Sequence, residues 1–134
     1  MIKAKKKGTN AERELVHKFN NHGWSAIRVA GSGSANYPSP DIIAGKNNII
    51  FGIECKATIS KNKYLTFQEV EELIFFCRNM GIIPMISIKF DKEEWYFIYA
   101  QDLKKTEKNF VLNLNEIKSS GITFKELLET ERFK

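Results

Sequence analysis

The chain has 134 residues, of which 43% are hydrophobic, and its formal net charge is +5 at neutral pH. This length predicts one domain with one core, residues 1–134, and the composition gives no indication of disorder. Cys55 and Cys77 are too few for a disulfide framework or a four-ligand zinc site, and we expect both to be buried thiols. No apolar stretch approaches the roughly 18 residues of a membrane span, so we expect a soluble, intracellular (cytoplasmic) protein with no membrane partner.

The excess positive charge is concentrated near the N-terminus. Residues 1–30 hold seven lysine and arginine side chains against two glutamates, whereas the remaining residues hold fourteen of each sign. We therefore predict that residues 1–8 form a basic N-terminal tail of this single domain. A concentrated basic patch favours a polyanionic partner such as nucleic acid, with Lys5, Lys6 and Lys7 as candidate contacts. The alternative is a solvated tail that only aids solubility.

The first predicted helix is TNAERELVHKFNNHG, residues 9–23. Thr9 is the predicted N-cap, Glu12 completes a capping box with it, and Gly23 ends the helix. His17 and His22 fall outside any metal-ligand spacing on this helix and are predicted to be surface residues. A strand, residues 25–30, follows, and then a glycine-, serine- and proline-containing turn or loop, residues 31–40.

A hairpin comes next, in which the GKNN turn separates DIIA from the strand IIFGIECKA, residues 49–57. Side chains two apart on a strand share a face, so Glu54 and Lys56 lie opposite the apolar face of that strand. With a four-residue loop, Asp41 faces Gly52 and is a diagonal neighbour of Glu54, about 7 to 8 Å away. Two carboxylates so placed could share a divalent cation, whereas an odd loop length would put Asp41 on the other face. On composition alone, a solvated strand face with a weak surface ion pair is the favoured interpretation.

The second half of the chain repeats the pattern of helix and strands. Thr66 and Glu69 form a predicted capping box for a helix that ends before Gly81. Two strands, residues 82–90 and 94–100, and a short final helix that opens with a capping box follow. The order predicts an α/β fold with a mixed central β-sheet flanked by α-helices. The polar segment KKTEKN, residues 104–109, is predicted to lie on the surface.

The hairpin carries a pattern that occurs in a nuclease superfamily. Pro40, Asp41, Glu54 and Lys56 form P-D-x12-E-x-K, which resembles the PD-(D/E)xK signature. The segments KKKGTNAERELV, IRVAGSGS, PDIIAG, IECKAT and GIIPMISIKF resemble, in order and spacing, those of the archaeal Holliday junction resolvases, including the ones carried by archaeal viruses. The resemblance implies a restriction-endonuclease-like core. It also implies a structure-specific endodeoxyribonuclease that resolves four-way DNA junctions by paired, symmetric, metal-dependent cuts.

The same resemblance assigns the site residues. Glu12 joins Asp41 and Glu54 at a metal site, which we expect to hold Mg²⁺, with Mn²⁺ able to substitute, because the ligands are hard oxygens. The Cys55 backbone carbonyl is a further expected ligand. Lys56 would orient the attacking water or stabilise the charge that develops on the phosphate. The resemblance also places Arg13, Arg28 and the loop serine Ser32 at or near the DNA, although the loop is longer than in some members and the choice among Ser32, Ser34 and Ser39 stays open.

Some of these residues have plainer roles available. From the sequence alone, capping the first helix is the favoured role of Glu12, and Arg13 is equally well explained as an exposed helix residue. Arg28 would meet solvent, pair with a carboxylate or meet a phosphate. Four apolar residues of the second predicted helix are expected in the core or at a subunit interface rather than against bases: Phe67, Phe75, Phe76 and Met80.

The implied substrate also predicts an assembly. A four-way junction has approximate two-fold symmetry and needs two opposed cuts, so we expect a homodimer with one site per subunit and no small-molecule cofactor. The second helix with strand 82–90 is the candidate interface. Two rival functions remain at this stage: another DNA repair or restriction-type nuclease of the same superfamily, and a non-catalytic nucleic-acid-binding module whose carboxylates merely pair with Arg28 and Lys56.

Overall fold

The computed structural model describes residues 2–31 and 37–131, with side chains from residue 8 onward. Its helices are α1 (Ile2–Asn21), α2 (Phe67–Met80), α3 (Leu114–Ser120) and α4 (Phe124–Leu128). Its strands are β1 (Ser25–Arg28), β2 (Ile42–Lys46), β3 (Ile49–Thr58), β4 (Asn62–Leu65), β5 (Ile83–Phe90), β6 (Trp95–Tyr99), β7 (Lys104–Lys105), β8 (Phe110–Asn113) and β9 (Ile122–Thr123). A short 3₁₀ turn, Ala100–Asp102, follows β6. None of the helices described is long and apolar enough to cross a membrane.

The predicted mixed sheet is confirmed. It has six strands in the order β1-β2-β3-β5-β6-β9, and β3 and β5 form its parallel pair, joined by a crossover that contains α2. A second, three-stranded sheet, β4-β8-β7, was not predicted. The polar segment at residues 104–109 belongs to that sheet as β7 and the turn before β8, and its residues 104–108 are exposed as expected.

The first helix begins earlier than the sequence pattern predicts. It starts at Ile2, so Thr9 lies within it and the predicted N-cap and capping box with Glu12 are wrong. Residues 2–8 form its first turns rather than a tail, since lysine and alanine are strong helix formers and outweigh the single Gly8. The predicted end is confirmed, because the helix stops at Asn21 and Gly23 adopts a left-handed φ of 83°. Glu12 therefore lies inside the helix, away from its N-terminus.

The hairpin turn is shorter than the four residues predicted. Lys46 pairs with Ile49, and the two residues between them, Asn47 and Asn48, have φ values of 51° and 71°. Asparagine tolerates this left-handed region, which two-residue hairpin turns require. The register therefore moves by two residues. The predicted pairing of Asp41 with Gly52 is wrong, since Gly52 faces Ile43 and Ile53 faces Ile42. Because the shift is even, the prediction that Asp41 and Glu54 share a face survives.

The prediction of a single core is wrong, because two separate hydrophobic cores lie on the two faces of the main sheet. α1 packs on one face, where Leu15, Phe19, Phe51 and Ile53 are fully buried. α2 packs on the other through Val70, Leu73 and Cys77. The boundaries of α2 follow the prediction closely: Thr66 and Glu69 form the capping box, and Gly81 caps the C-terminus with a left-handed φ of 70°. The site residues of β3 thus face the start of α2, where the capping box fixes the backbone.

Candidate active site

Asp41 lies directly before β2, and its backbone and side chain both make hydrogen bonds to described residues. Its backbone N–H donates to the Ile53 carbonyl at 2.9 Å, and its carbonyl accepts from the Val29 N–H at 2.8 Å. Its carboxylate oxygen Oδ2 accepts from the Cys55 backbone N–H at 2.9 Å. This hydrogen bond holds the Asp41 side chain beside the part of β3 that carries Glu54 and Lys56.

Glu54 and Lys56 lie on the α2 face of β3. Both side chains are largely buried, 20% and 19% exposed, and Lys56 Nζ is 3.3 Å from Glu54 Oε2. The same ammonium is 2.6 Å from Oε1 of Glu69, in the first turn of α2. Burial opposes the charge on Lys56, but Glu54 and Glu69 outweigh it and raise the pKa of its ammonium above the ordinary value. Lys56 is thus a cation held between two carboxylates.

Glu54 has an unusual environment for a carboxylate. Burial raises its pKa from 4.5 to about 7, the negative charge of Asp41 adds to that rise, and the contact with Lys56 only partly offsets it. A raised carboxylate pKa reflects a cost of bringing negative charge into a low-dielectric site. A bound cation would relieve that cost.

Glu12 and Arg28 approach the same region from the α1 layer. Arg28 Nε donates to Glu12 Oε1 at 2.9 Å, and the Glu12 side chain is only 15% exposed. Of the three alternatives for Arg28, the structure shows pairing with a carboxylate. Burial raises the pKa of Glu12 and the Asp41 charge raises it further, although Arg28 acts in the opposite direction. Asp41 therefore acts electrostatically on both glutamates of the predicted metal site.

A small cavity of about 160 Å³ adjoins these carboxylates. Asp41, Glu54, Glu69 and Glu72 contribute to its lining, together with Ser39, one of the three candidate serines. Ser32 and Ser34 lie outside the described residues. Within residues 2–31 and 37–131, as they are placed, no three histidine, cysteine, aspartate or glutamate side chains converge closely enough to hold one metal ion.

The other predicted site residues are more scattered. Arg13 is exposed on α1, and His17 and His22 are exposed as expected. Lys5, Lys6 and Lys7 belong to the first turns of α1, and their side chains lie outside the described part. Cys77 is fully buried and Cys55 half-buried. Burial raises the pKa of the Cys55 thiol to about 12, so a metal-binding role for this residue would fall to its backbone carbonyl.

Glu69 is the site residue that the sequence interpretation missed. The capping box already explained the presence of a glutamate at this position. No local spacing links Glu69 to Lys56, thirteen positions earlier. Only the packing of α2 on the sheet brings the two together. The signal available in the sequence was a capping glutamate at the start of the helix that follows the E-x-K strand.

The architecture is that of a restriction-endonuclease-like fold, with the carboxylates on a hairpin that leads into the parallel β3 and β5 pair. The solved structure of Archaeoglobus fulgidus Hjc, a Holliday junction resolvase from an archaeal hyperthermophile, matches with a TM-score of 0.83 and 36% identity, over 90% of this chain and 98% of that one. Residues 3–134 match the family model of the archaeal Holliday junction resolvases (Hjc), and the chain belongs to this family.

Curated relatives agree with this assignment. The crossover junction endodeoxyribonuclease Hjc of Archaeoglobus fulgidus is 40% identical over 109 residues, which cover 81% of this chain and 80% of the relative. The crossover junction endodeoxyribonuclease Hje of Saccharolobus islandicus is 36% identical over 110 residues, 78% of this chain and 82% of the relative.

Proposed function

We propose that this protein is an endodeoxyribonuclease that resolves four-way DNA junctions by metal-dependent hydrolysis of phosphodiester bonds. The observation that carries the proposal is the pair of carboxylates, Asp41 and Glu54, held on one hairpin beside the buried Lys56. Membership of the archaeal Holliday junction resolvase family supports the choice of substrate.

The donor set fits a hard divalent cation, Mg²⁺ or Mn²⁺, because every side-chain donor is a carboxylate oxygen. Asp41 and Glu54 would hold it, with the Cys55 backbone carbonyl, and Glu12 would join them by exchanging its contact with Arg28. Burial, and after it the negative charge of Asp41, raises the pKa of Glu54 and of Glu12, and a bound cation would offset both effects. When bound, such a cation lowers the pKa of water and neutralises charge on phosphoryl oxygens.

Lys56 supplies positive charge at a fixed position. Its ammonium stays protonated at neutral pH, since neighbouring carboxylates raise its pKa. From that position it would stabilise negative charge on the phosphate in the transition state or orient the attacking water. Ser39 lines the adjoining cavity and is available to contact the DNA backbone, while the preferred serine from the resemblance, Ser32, keeps that role as a prediction.

Binding of DNA would depend on the basic residues of the α1 layer. Arg28 is 31% exposed and Arg13 is exposed on α1, so both can reach a phosphate. If Glu12 bound the metal instead of Arg28, the Arg28 guanidinium could contact a phosphate of the DNA. Lys5, Lys6 and Lys7 add positive charge at the start of α1, and each phosphate contact steepens the salt dependence of binding by roughly 0.9 in the log-log slope.

A second copy of this chain would occupy the outward face of α2. This apolar face includes Phe75 and Met80, 64% and 63% exposed, and borders a broad groove of about 760 Å³ shared with Tyr37 and Ile74. Exposed apolar patches of this kind mark interaction surfaces. A homodimer would place one active site on each of two opposed strands of a near-symmetric junction.

The test is to map cuts on an end-labelled synthetic four-way junction and on a duplex of matched sequence, with Mg²⁺ and with EDTA. We expect paired, symmetric nicks on the junction alone, abolished by EDTA. Equal cutting of the duplex would replace the proposal with a less selective nuclease of the same fold. Tight junction binding without any cutting would establish a binding module, in which the observed Glu12–Arg28 and Glu54–Lys56 pairs are the whole role of the carboxylates.

A further inference from the structure

The Glu69 carboxylate makes two separate sets of contacts, one with each oxygen. Oε2 accepts from the Thr66 backbone N–H at 2.8 Å, which closes the capping box of α2. Oε1 is 2.6 Å from Lys56 Nζ, closer than the 3.3 Å between Lys56 and Glu54. One side chain therefore links the start of α2 to the lysine of the E-x-K strand.

We propose that Glu69 is a positioning residue, which holds the Lys56 ammonium at the active site and touches neither the metal nor the DNA. This inference rests on the proposed function, in which Lys56 acts on the phosphate. A lysine side chain has four rotatable bonds and many rotamers, so its ammonium needs a partner to stay in one place. Glu69 is such a partner, and the hydrogen bond from the Thr66 backbone N–H fixes the position of its carboxylate.

Glu54 alone would be a poor anchor for Lys56. In the proposed mechanism the Glu54 carboxylate binds the cation, which draws its negative charge away from the ammonium. Glu69 lies outside the proposed ligand set and keeps its charge in that state. Hydrogen bonds from Lys56 and Thr66 outweigh burial and lower the pKa of Glu69, which agrees with a carboxylate that stays ionised.

The chain offers substitutions that separate positioning from capping. Glu69→Gln keeps a side chain that can complete a capping box but removes the charge that Lys56 contacts. Thr66→Ala removes the hydroxyl that caps Glu69 N–H and donates to Glu69 Oε2 at 3.2 Å, but keeps the backbone N–H that donates to the same oxygen at 2.8 Å. Glu126→Gln makes the same change as Glu69→Gln in the capping box of α4, where the glutamate has no lysine contact among the described residues.

The first experiment measures kcat and KM for junction cleavage together with thermal unfolding. We expect Glu69→Gln to lower kcat by about tenfold with little change in KM, the scale of one charge-assisted contact. Its Tm should also fall, because the ionised carboxylate stabilises the fold through Lys56. Thr66→Ala should lower Tm and keep kcat, and Glu126→Gln should keep kcat. In a Lys56→Ala background, Glu69→Gln should cause no further loss, since it acts through Lys56. Wild-type kcat in Glu69→Gln, or equal loss of kcat in Glu69→Gln and Thr66→Ala, would overturn the positioning role.

A second readout does not depend on cleavage. Lysine residues are labelled with an amine-reactive acylating reagent, and the modified sites are quantified by mass spectrometry. Lys56 should be protected in the wild type and in Thr66→Ala, and should react several-fold faster in Glu69→Gln. Unchanged reactivity would overturn the inference, whether or not the protein cuts DNA. If the wild type fails to cut junctions while Lys56 shows the expected reactivity, the proposed function is overturned, but the positioning of Lys56 by Glu69 remains supported.

Discussion

The Asp41 carboxylate accepts a hydrogen bond from the Cys55 backbone N–H, at 2.9 Å, and this contact joins the start of β2 to the strand that carries Glu54 and Lys56. Asp41→Asn should preserve it, because the amide carbonyl can still accept. The charge that attracts a cation is lost. We expect cleavage to fall by at least about 100-fold, the scale for loss of one catalytic group, while junction binding in EDTA stays unchanged. Single-turnover cleavage and gel-shift titration measure the two quantities, and full cleavage by this variant would remove Asp41 from the site.

The raised pKa of Glu54 makes stability depend on pH in the absence of divalent cations. Its pKa is about 7 in the folded protein against an ordinary value of 4.5. Between these values the folded state binds more protons than the unfolded state, so the free energy of unfolding should fall as pH rises through this window. Glu54→Gln should lack this contribution and gain about 1 to 3 kcal/mol relative to wild type between pH 4 and pH 8. Urea unfolding across that range tests this, and parallel curves would contradict it.

Gly52 allows α2 to pack closely on β3. A Cβ at this position would lie 2.5 Å from Cys77 Sγ and 3.2 Å from Ile82 Cδ1. Gly52→Ala should therefore destabilise the protein by about 1 to 3 kcal/mol through overpacking. Combined with Cys77→Ala, the loss should be smaller than the sum of the two single losses, because the smaller side chain makes room. Gly8→Ala is the control, since its Cβ would meet nothing within 4 Å. Urea unfolding of the wild type, the two single variants and the double variant gives the coupling free energy between Gly52 and Cys77. Strict additivity would show that the two positions do not crowd each other.

The outward face of α2 should determine the oligomeric state. Phe75 is 64% exposed there, and placing a charge on an apolar interface is costly. We expect the wild type to sediment as a dimer and Phe75→Glu as a monomer. Ile59→Glu is the matched control, because Ile59 is equally apolar and 77% exposed but lies outside this face. Dissociation by Ile59→Glu and not by Phe75→Glu would place the interface elsewhere.

Local patterns of the sequence predicted the parts of the fold that local forces determine. The boundaries of α2 follow from Thr66, Glu69 and Gly81, whose capping hydrogen bonds lie within the helix and its ends. The shared face of Asp41 and Glu54 follows from strand alternation and survived an error in loop length. That error arose because two consecutive asparagines can form the whole turn, which leaves Gly45 and Lys46 in the strand.

Tertiary packing decided what the sequence could not predict. Glu12 fits the spacing of a capping box, but the helix begins before Thr9 and Glu12 pairs with Arg28, sixteen positions later. Glu69 does occupy its capping box, yet its second contact, with Lys56, depends on how α2 packs against β3. The short strands of the second sheet pair segments far apart in the chain, Asn62 with Asn113 for example, and their sequences carry little periodic signal.

We propose the Glu54 face of the hairpin as the site of junction cleavage. Single-turnover cleavage of a labelled four-way junction in Mg²⁺ by wild type, Glu54→Gln and Glu72→Gln tests it most directly, because both glutamates line the same cavity and lose the same charge. Glu54→Gln should bind the junction but cut it at least about 100-fold more slowly, whereas Glu72→Gln should cut like the wild type. Wild-type cleavage by Glu54→Gln, with its fold intact, would contradict the account.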